Sequence, residues 1–180
     1  MTTQQIYRDS RVVHVRELKD KVAELNAALA DAVRERDWLR SRFEMAVAAA
    51  LEADTLPSGG MFIVVDGWNA ILNTRLHSLA ALEERCKEHL AANARDKVWI
   101  VLDGKSEDST SSAGGRLHVS YTGGEGEQRA DRLITAFLRA LKFAGRKMPV
   151  EVVTDDKKLS DAARKLGATA RSAHDFADVR

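Results

Sequence analysis

Acidic residues stand at four places where an apolar run gives way to a helical pattern or opens one. Asp66 follows "FIVV", Asp103 follows "VWIVL", and the pair Asp155–Asp156 follows "VEVVT". Asp131 falls in the first turn of the helical pattern "QRADRLITAFLRALKF". Carboxylates drawn together repel and raise one another's pKa values unless a cation neutralises them. Hard oxygen ligands with no soft partner favour Mg²⁺ or Mn²⁺ over zinc. Such an ion suits phosphodiester hydrolysis, because it polarises a phosphoryl oxygen and acidifies an attacking water. Asn69, one helical step past Asp66, could hydrogen-bond a carboxylate or place a water. Each aspartate taken alone reads as well as a helix N-cap. Taken together, they point to a metal.

The elements that must position these residues follow from periodicity. "MFIVV" (61–65) and "VWIVL" (98–102) read as buried strands, "RLHVSY" (116–121) as a more exposed one and "VEVVT" (150–154) as a fourth, with "ATARS" (168–172) a short fifth. Helices are expected over 68–76, 78–94, 128–143 and 157–167, and the Ser/Gly-rich 104–115 reads as a loop. Strands alternating with helices imply right-handed crossovers and a parallel sheet between helical layers. In such sheets the working site lies at the carboxyl ends of the strands, the edge on which the acids fall.

The first third of the chain is different. From Arg11 to Ala53 there is neither glycine nor proline, and apolar residues recur at Val15, Leu18, Val22, Leu25, Leu29, Ala32, Leu39, Phe43, Ala46 and Ala50. These are a and d positions of a heptad, broken once by Arg36 at an a position. At 1.5 Å per residue the helix would be roughly 60 Å long, more than a compact core needs. Its narrow stripe asks for a second helix, most simply a second copy of the chain, although folding back onto its own globular half is the alternative. The domains expected are therefore a coiled-coil dimerisation helix (1–55), a linker (56–60) in which Gly59–Gly60 supplies a flexible joint, and a catalytic half (61–180).

Bulk properties narrow the class. With 44% hydrophobic and 31% charged residues the chain can build a core, and its net charge of +1 requires any nucleic-acid surface to be local. Cys86 is the single cysteine, which excludes an internal disulfide and a cysteine zinc site. His77, His89, His118 and His174 lack metal spacing and read as surface or structural. The polar N-terminus carries no signal-peptide pattern, and no apolar run is long enough to span a membrane, so a cytoplasmic protein without membrane association is expected.

"VVDGWNAI", "VLDG", "GEGEQRADRLI" and "VVTDDKKLSDAARKLGA", in that order, resemble the NYN/YacP-like branch of the PIN-like ribonucleases over about residues 61–175. The resemblance implies a PIN-like three-layer α/β/α fold with a central parallel sheet. It also implies a metal-dependent endoribonuclease using Mg²⁺ or Mn²⁺. The ligands it implies are Asp66, Asp131 and one aspartate of the TDD step, with Asp103 and Asn69 as supporting polar residues. The family's T-x-D pattern aligns Asp156, whereas strand geometry favours Asp155; both are candidates and Asp156 is preferred. Trp68 stands where the family more often has tyrosine, and slightly long spacing before Asp131 leaves Glu125 and Glu127 as loop charges or an extra ligand.

For RNA, phosphate contacts are expected from Lys105, Arg116, Arg129, Arg132, Lys157 and Lys158, and base stacking from Trp68 or Tyr121. Recruitment by the ribosome or another ribonucleoprotein is left open. The competing reading is a non-catalytic RNA-binding or scaffold protein that keeps the fold. A haloacid-dehalogenase-like phosphatase is disfavoured, because the second aspartate it needs is replaced by Trp68. A dinucleotide-binding protein is disfavoured because no G-x-G-x-x-G follows the first strand.

Overall fold

The computed structural model describes residues 3–53, 59–105, 109–123, 128–145 and 148–178, and in the first of these segments the side chains of residues 14–38, 40 and 41. The chain divides into two units, Met1–Ser41 and Arg42–Arg180. Helix α1 (Thr3–Ala53) runs unbroken for 51 residues, as the absence of glycine and proline predicts. Of the expected linker, residues 56–58 lie outside the described residues. Gly60 is more than a joint: it is buried, and a Cβ there would overlap the Arg95 carbonyl. Beside it, the Asp96 carboxylate accepts from the Met61 amide at 2.9 Å and pairs with the His89 ring at 2.9 Å.

The second unit holds the remaining elements: β1 (Phe62–Asp66), α2 (Gly67–Asn73), α3 (Leu79–Ala92), β2 (Lys97–Leu102), β3 (Ser109–Ser112), β4 (Leu117–Tyr121), α4 (Arg129–Phe143), β5 (Val150–Val153), α5 (Lys157–Lys165), β6 (Thr169–Arg171) and α6 (Ala173–Asp178). The sheet order is β3-β4-β2-β1-β5-β6, and every neighbouring pair is parallel except β3 with β4. Alternation along β1 builds two cores. Phe62 and Val64 face α4 and α5 with Trp99, Phe137 and Leu159, while Ile63 and Val65 face α2, α3 and α6 with Ile71, Leu82 and Phe176. The result is the expected three-layer α/β/α arrangement.

Two elements depart from expectation. The segment expected as a loop contains β3, which pairs antiparallel with β4 from Ser109↔Ser120 to Ser112↔Leu117. All four of its residues are exposed, so no buried face left an apolar period to read. Helix α6 was not expected either; at six residues it is too short for a periodic signal, and the group that starts it comes from elsewhere in the chain.

The chain leaves β1 towards β2 and β4 on one side, then returns through α4 to β5 on the other. Strand order therefore reverses at β1, and the gap between the carboxyl ends of β1 and β5 is the crevice where open α/β sheets bind ligands.

Candidate active site

Asp66 ends β1 and Thr154 directly follows β5, so they face each other across that crevice. The Asp66 carboxylate, 7% exposed, accepts from the Thr154 hydroxyl at 3.0 Å and, through its other oxygen, from the Asn69 amide at 3.3 Å. The second contact is an N-cap on α2. Capping and site are thus compatible, because each bond occupies one lone pair of a group with about four. Gly67 is required by packing and not by an unusual turn: a Cβ would stand 2.5 Å from the Leu102 side chain. Burial pushes the Asp66 carboxyl above its ordinary range; Thr154 and the Asn69 amide pull it down, and the charges of Asp103 and Asp156 raise it.

The Thr154 hydroxyl also accepts from the Asp156 amide at 3.0 Å. One buried hydroxyl therefore fixes two of the acidic residues relative to each other. The Asp156 carboxylate caps α5 by accepting from Leu159 at 2.9 Å.

Asp103, just past β2, accepts through Oδ1 from the Ala130 amide at 2.6 Å and from the Thr122 hydroxyl at 3.2 Å. Gln128, the residue before α4, has φ 62° and caps nothing with its side chain, so Asp103 serves the helix N-terminus from a distant part of the chain. This bond sets the first turn of α4 and with it Asp131. Among the described residues no donor reaches the Asp131 carboxylate. It is half-buried, and its pKa is raised to about 6 by burial first and then by the charges of Asp66, Asp156 and Asp103. The Trp68 indole N–H donates to the Asp103 carbonyl at 2.6 Å, leaving the ring 42% exposed beside the acids.

Other expected residues are placed elsewhere. Asp155 turns to α6, where one oxygen accepts from the Ser172 hydroxyl at 2.8 Å and the Ala173 amide at 3.1 Å. Its backbone amide donates to the Asn69 side-chain oxygen at 2.7 Å. Asn69 thus holds the loop after β5 with its side chain and Asp66 with its amide, instead of orienting a carboxylate with its side chain. Arg116 precedes β4 and so lies at the amino ends of the strands, donating to the Leu90 carbonyl at 3.0 Å; the structure does not bring it to the acids. Arg129 donates to the Gly123 carbonyl at 3.0 Å and braces the approach to α4. Arg132 is exposed one residue beyond Asp131, Lys157 and Lys158 are exposed in the first turn of α5, and Lys105 is exposed after β2. Glu125 and Glu127 lie outside the described residues. Thr154, Thr122 and Ser172 were missed as supporting residues. Only Thr154 had a signal, its place at a strand end immediately before two aspartates.

Among the described residues no group of three or more acidic, histidine or cysteine side chains forms a ready-made metal cage. Mg²⁺ seldom needs one: it keeps several waters and is commonly held by one or two carboxylates together with substrate phosphate. Asp131, whose carboxylate meets no donor among the described residues and whose charge is disfavoured by three neighbouring carboxylates, has the chemistry of a hard-cation ligand.

The family model described as the YacP-like NYN domain matches residues 63–179. No curated protein matches the chain. A crystal structure of a tryptophan-to-leucine mutant of Rae1 (YacP) from Bacillus subtilis is similar to it at 21% identity, covering 62% of this chain and 69% of that chain, with a TM-score of 0.45.

Proposed function

Because the chain belongs to the YacP-like NYN domain family, a family of ribonucleases, we propose that it is a metal-dependent endoribonuclease working at the carboxyl edge of the sheet. The observation that carries this reading is the Asp131 carboxylate, which has no hydrogen-bond donor among the described residues and is pushed up to about 6 beside Asp66, Asp103 and Asp156. Asp66, Asp131 and Asp156 would hold Mg²⁺ or Mn²⁺, with water and substrate phosphate completing the sphere. When bound, the ion supplies a polarised phosphoryl oxygen and a water acidic enough to attack near neutral pH.

The chain's own residues do the rest. Thr154 holds Asp66 and Asp156 in register, so little reorganisation accompanies substrate binding. Asp103 stays bonded to the α4 N-terminus and positions Asp131. Lys157, Lys158, Arg132 and Lys105 take RNA phosphates, and the exposed face of Trp68 takes an unpaired base, a contact worth about 1–3 kcal/mol. The stripe on α1 dimerises the enzyme, which brings two sites to one RNA and raises avidity. A cytoplasmic location suits this substrate.

Purified protein is expected to cut RNA with Mn²⁺ or Mg²⁺, to stop with EDTA, and to lose activity by about 10²-fold or more as Asp66→Asn or Asp131→Asn. Variants that cut as fast as the parent would overturn the site. RNA binding without cleavage under any divalent ion would make the protein a scaffold that keeps the fold.

A further inference from the structure

Helix α4 begins at the acidic rim with Asp131 and ends on Phe143, which stands 97% exposed. Such a side chain buries almost nothing within the described residues, so its apolar surface contributes little to this fold. Between these ends the outer face of the helix is basic. From Arg132 to Val150 the sequence holds Arg132, Arg139, Lys142, Arg146 and Lys147 and neither aspartate nor glutamate, in a chain whose net charge is only +1. Arg146 and Lys147 lie outside the described residues; Arg132, Arg139 and Lys142 are exposed on the helix.

We propose that a single strand of RNA leaving the acidic rim runs along this face, with its phosphates on Arg132, Arg139 and Lys142 and an unpaired base stacked on Phe143. The proposal rests on the ribonuclease reading above and adds the path of the strand.

Spacing makes the face continuous. At 3.6 residues per turn, positions 132, 139 and 143 fall on one line, opposite the buried Leu133, Ile134, Phe137 and Leu141. Ala136, on the same line, is small and leaves the way open. Arg132 to Phe143 spans roughly 16 Å of helix at 1.5 Å per residue, room for a few nucleotides. Lys142 donates one of its three protons to the Lys165 carbonyl at 3.2 Å, which fixes its ammonium beside the end of α5. That helix packs on α4 and brings Arg164 and Lys165 in its last turn, with Arg164 paired to Asp161 at 3.5 Å.

Cations at intervals along a groove, closed by an aromatic platform, are what a single strand asks for: charge for its backbone and a flat apolar surface for a base. A protein partner is less well served. The core of a protein interface is poor in charge, whereas the helix neighbours of Phe143 are Arg139, Ala140 and Lys142.

Equilibrium binding of a labelled ten-nucleotide single-stranded RNA to the full chain, with EDTA present to keep the probe intact, tests the path. Arg139→Gln and Phe143→Ser alter exposed side chains and leave the core alone. Each is expected to weaken binding about fivefold or more, with Phe143→Trp keeping the parent's affinity. The two contacts differ in salt dependence. Arg139→Gln should reduce the slope of log affinity against log salt by about 0.7, and Phe143→Ser should leave that slope unchanged. Parent-like affinity in both variants, from a parent that binds and cuts RNA, would overturn the path while leaving the ribonuclease reading intact. A parent that neither binds nor cuts RNA would overturn both. Polyglutamate that binds the parent more tightly than the RNA does, and is lost with Phe143→Ser, would assign the face to an acidic protein and overturn the proposal.

Discussion

At the scale of single residues, the carboxylates of Asp66, Asp103, Asp155 and Asp156 each accept a hydrogen bond, whereas no donor among the described residues reaches Asp131. This difference has a measurable sign. The Asp131 carboxyl titrates near 6 in the folded protein against 3.8 in the unfolded chain, so the native state holds its proton more tightly. Its contribution to stability is present below about pH 4 and is lost as pH rises through about 6. The metal-free protein should therefore melt at lower temperature at pH 8 than the same protein with Asp131→Asn. Because Asp131 is only half-buried, the gain is screened to about 1 kcal/mol or less. Adding Mg²⁺ or Mn²⁺ should raise the melting temperature of the parent at pH 8, do so less at pH 5, and barely move Asp131→Asn. A parent that shows no ion-dependent shift would count against the ligand assignment. Thr154 makes a second case. Thr154→Val leaves Asp66 and the Asp156 amide without their shared partner inside a buried crevice; a loss of about 1–3 kcal/mol in thermal unfolding is expected. Cleavage should fall at least tenfold, and Thr154→Ser should recover most of both.

Among the elements, the helix N-termini decide what each acid does. Asp155 and Asp156 are adjacent, yet one caps α6 and the other caps α5. Asp155→Ala should therefore cost about 1 kcal/mol of stability and leave metal-dependent turnover within a few-fold of the parent. Asp156→Ala should cost a similar amount of stability and remove turnover as well. Measuring both variants by thermal melts and RNA cleavage separates the roles, and equal turnover would reverse the preference for Asp156. The family pattern T-x-D points to Asp156 as the ligand, and the sequence position at the strand end points to Asp155. In the structure Asp155 accepts from the amide of Ala173, 18 residues away in the chain. The same kind of contact explains why Asp103 was legible as a rim acid but not as the cap of α4, since its partner Ala130 lies 27 residues further on. β1 and β2 were readable because buried strands in a parallel sheet are apolar on both faces, and β4 and β5 because an apolar residue recurs at every second position. β3 and α6 were not, because the first buries no side chain and the second is capped from elsewhere in the sequence.

For the whole molecule, the long helix and the α/β half make separate demands. Removing residues 1–55 should leave cleavage of a short RNA unchanged per site, weaken retention on a long RNA, and convert the proposed dimer to a monomer by light scattering. An unchanged oligomeric state would refute dimerisation through the helix.

The sequence by itself determined the layered α/β/α fold, the edge of the sheet on which the acids fall, and the long helix. Each rests on periodicity or on strand-to-helix order, which a linear chain carries openly. Only the tertiary structure decided that Thr154 joins Asp66 to Asp156, that Asp155 accepts from the start of α6, that Arg116 faces the opposite end of the strands, and that no donor among the described residues reaches the Asp131 carboxylate. Those outcomes depend on which distant backbone amides and hydroxyls arrive within about 3 Å of each side chain, and the chain must close its sheet before they do.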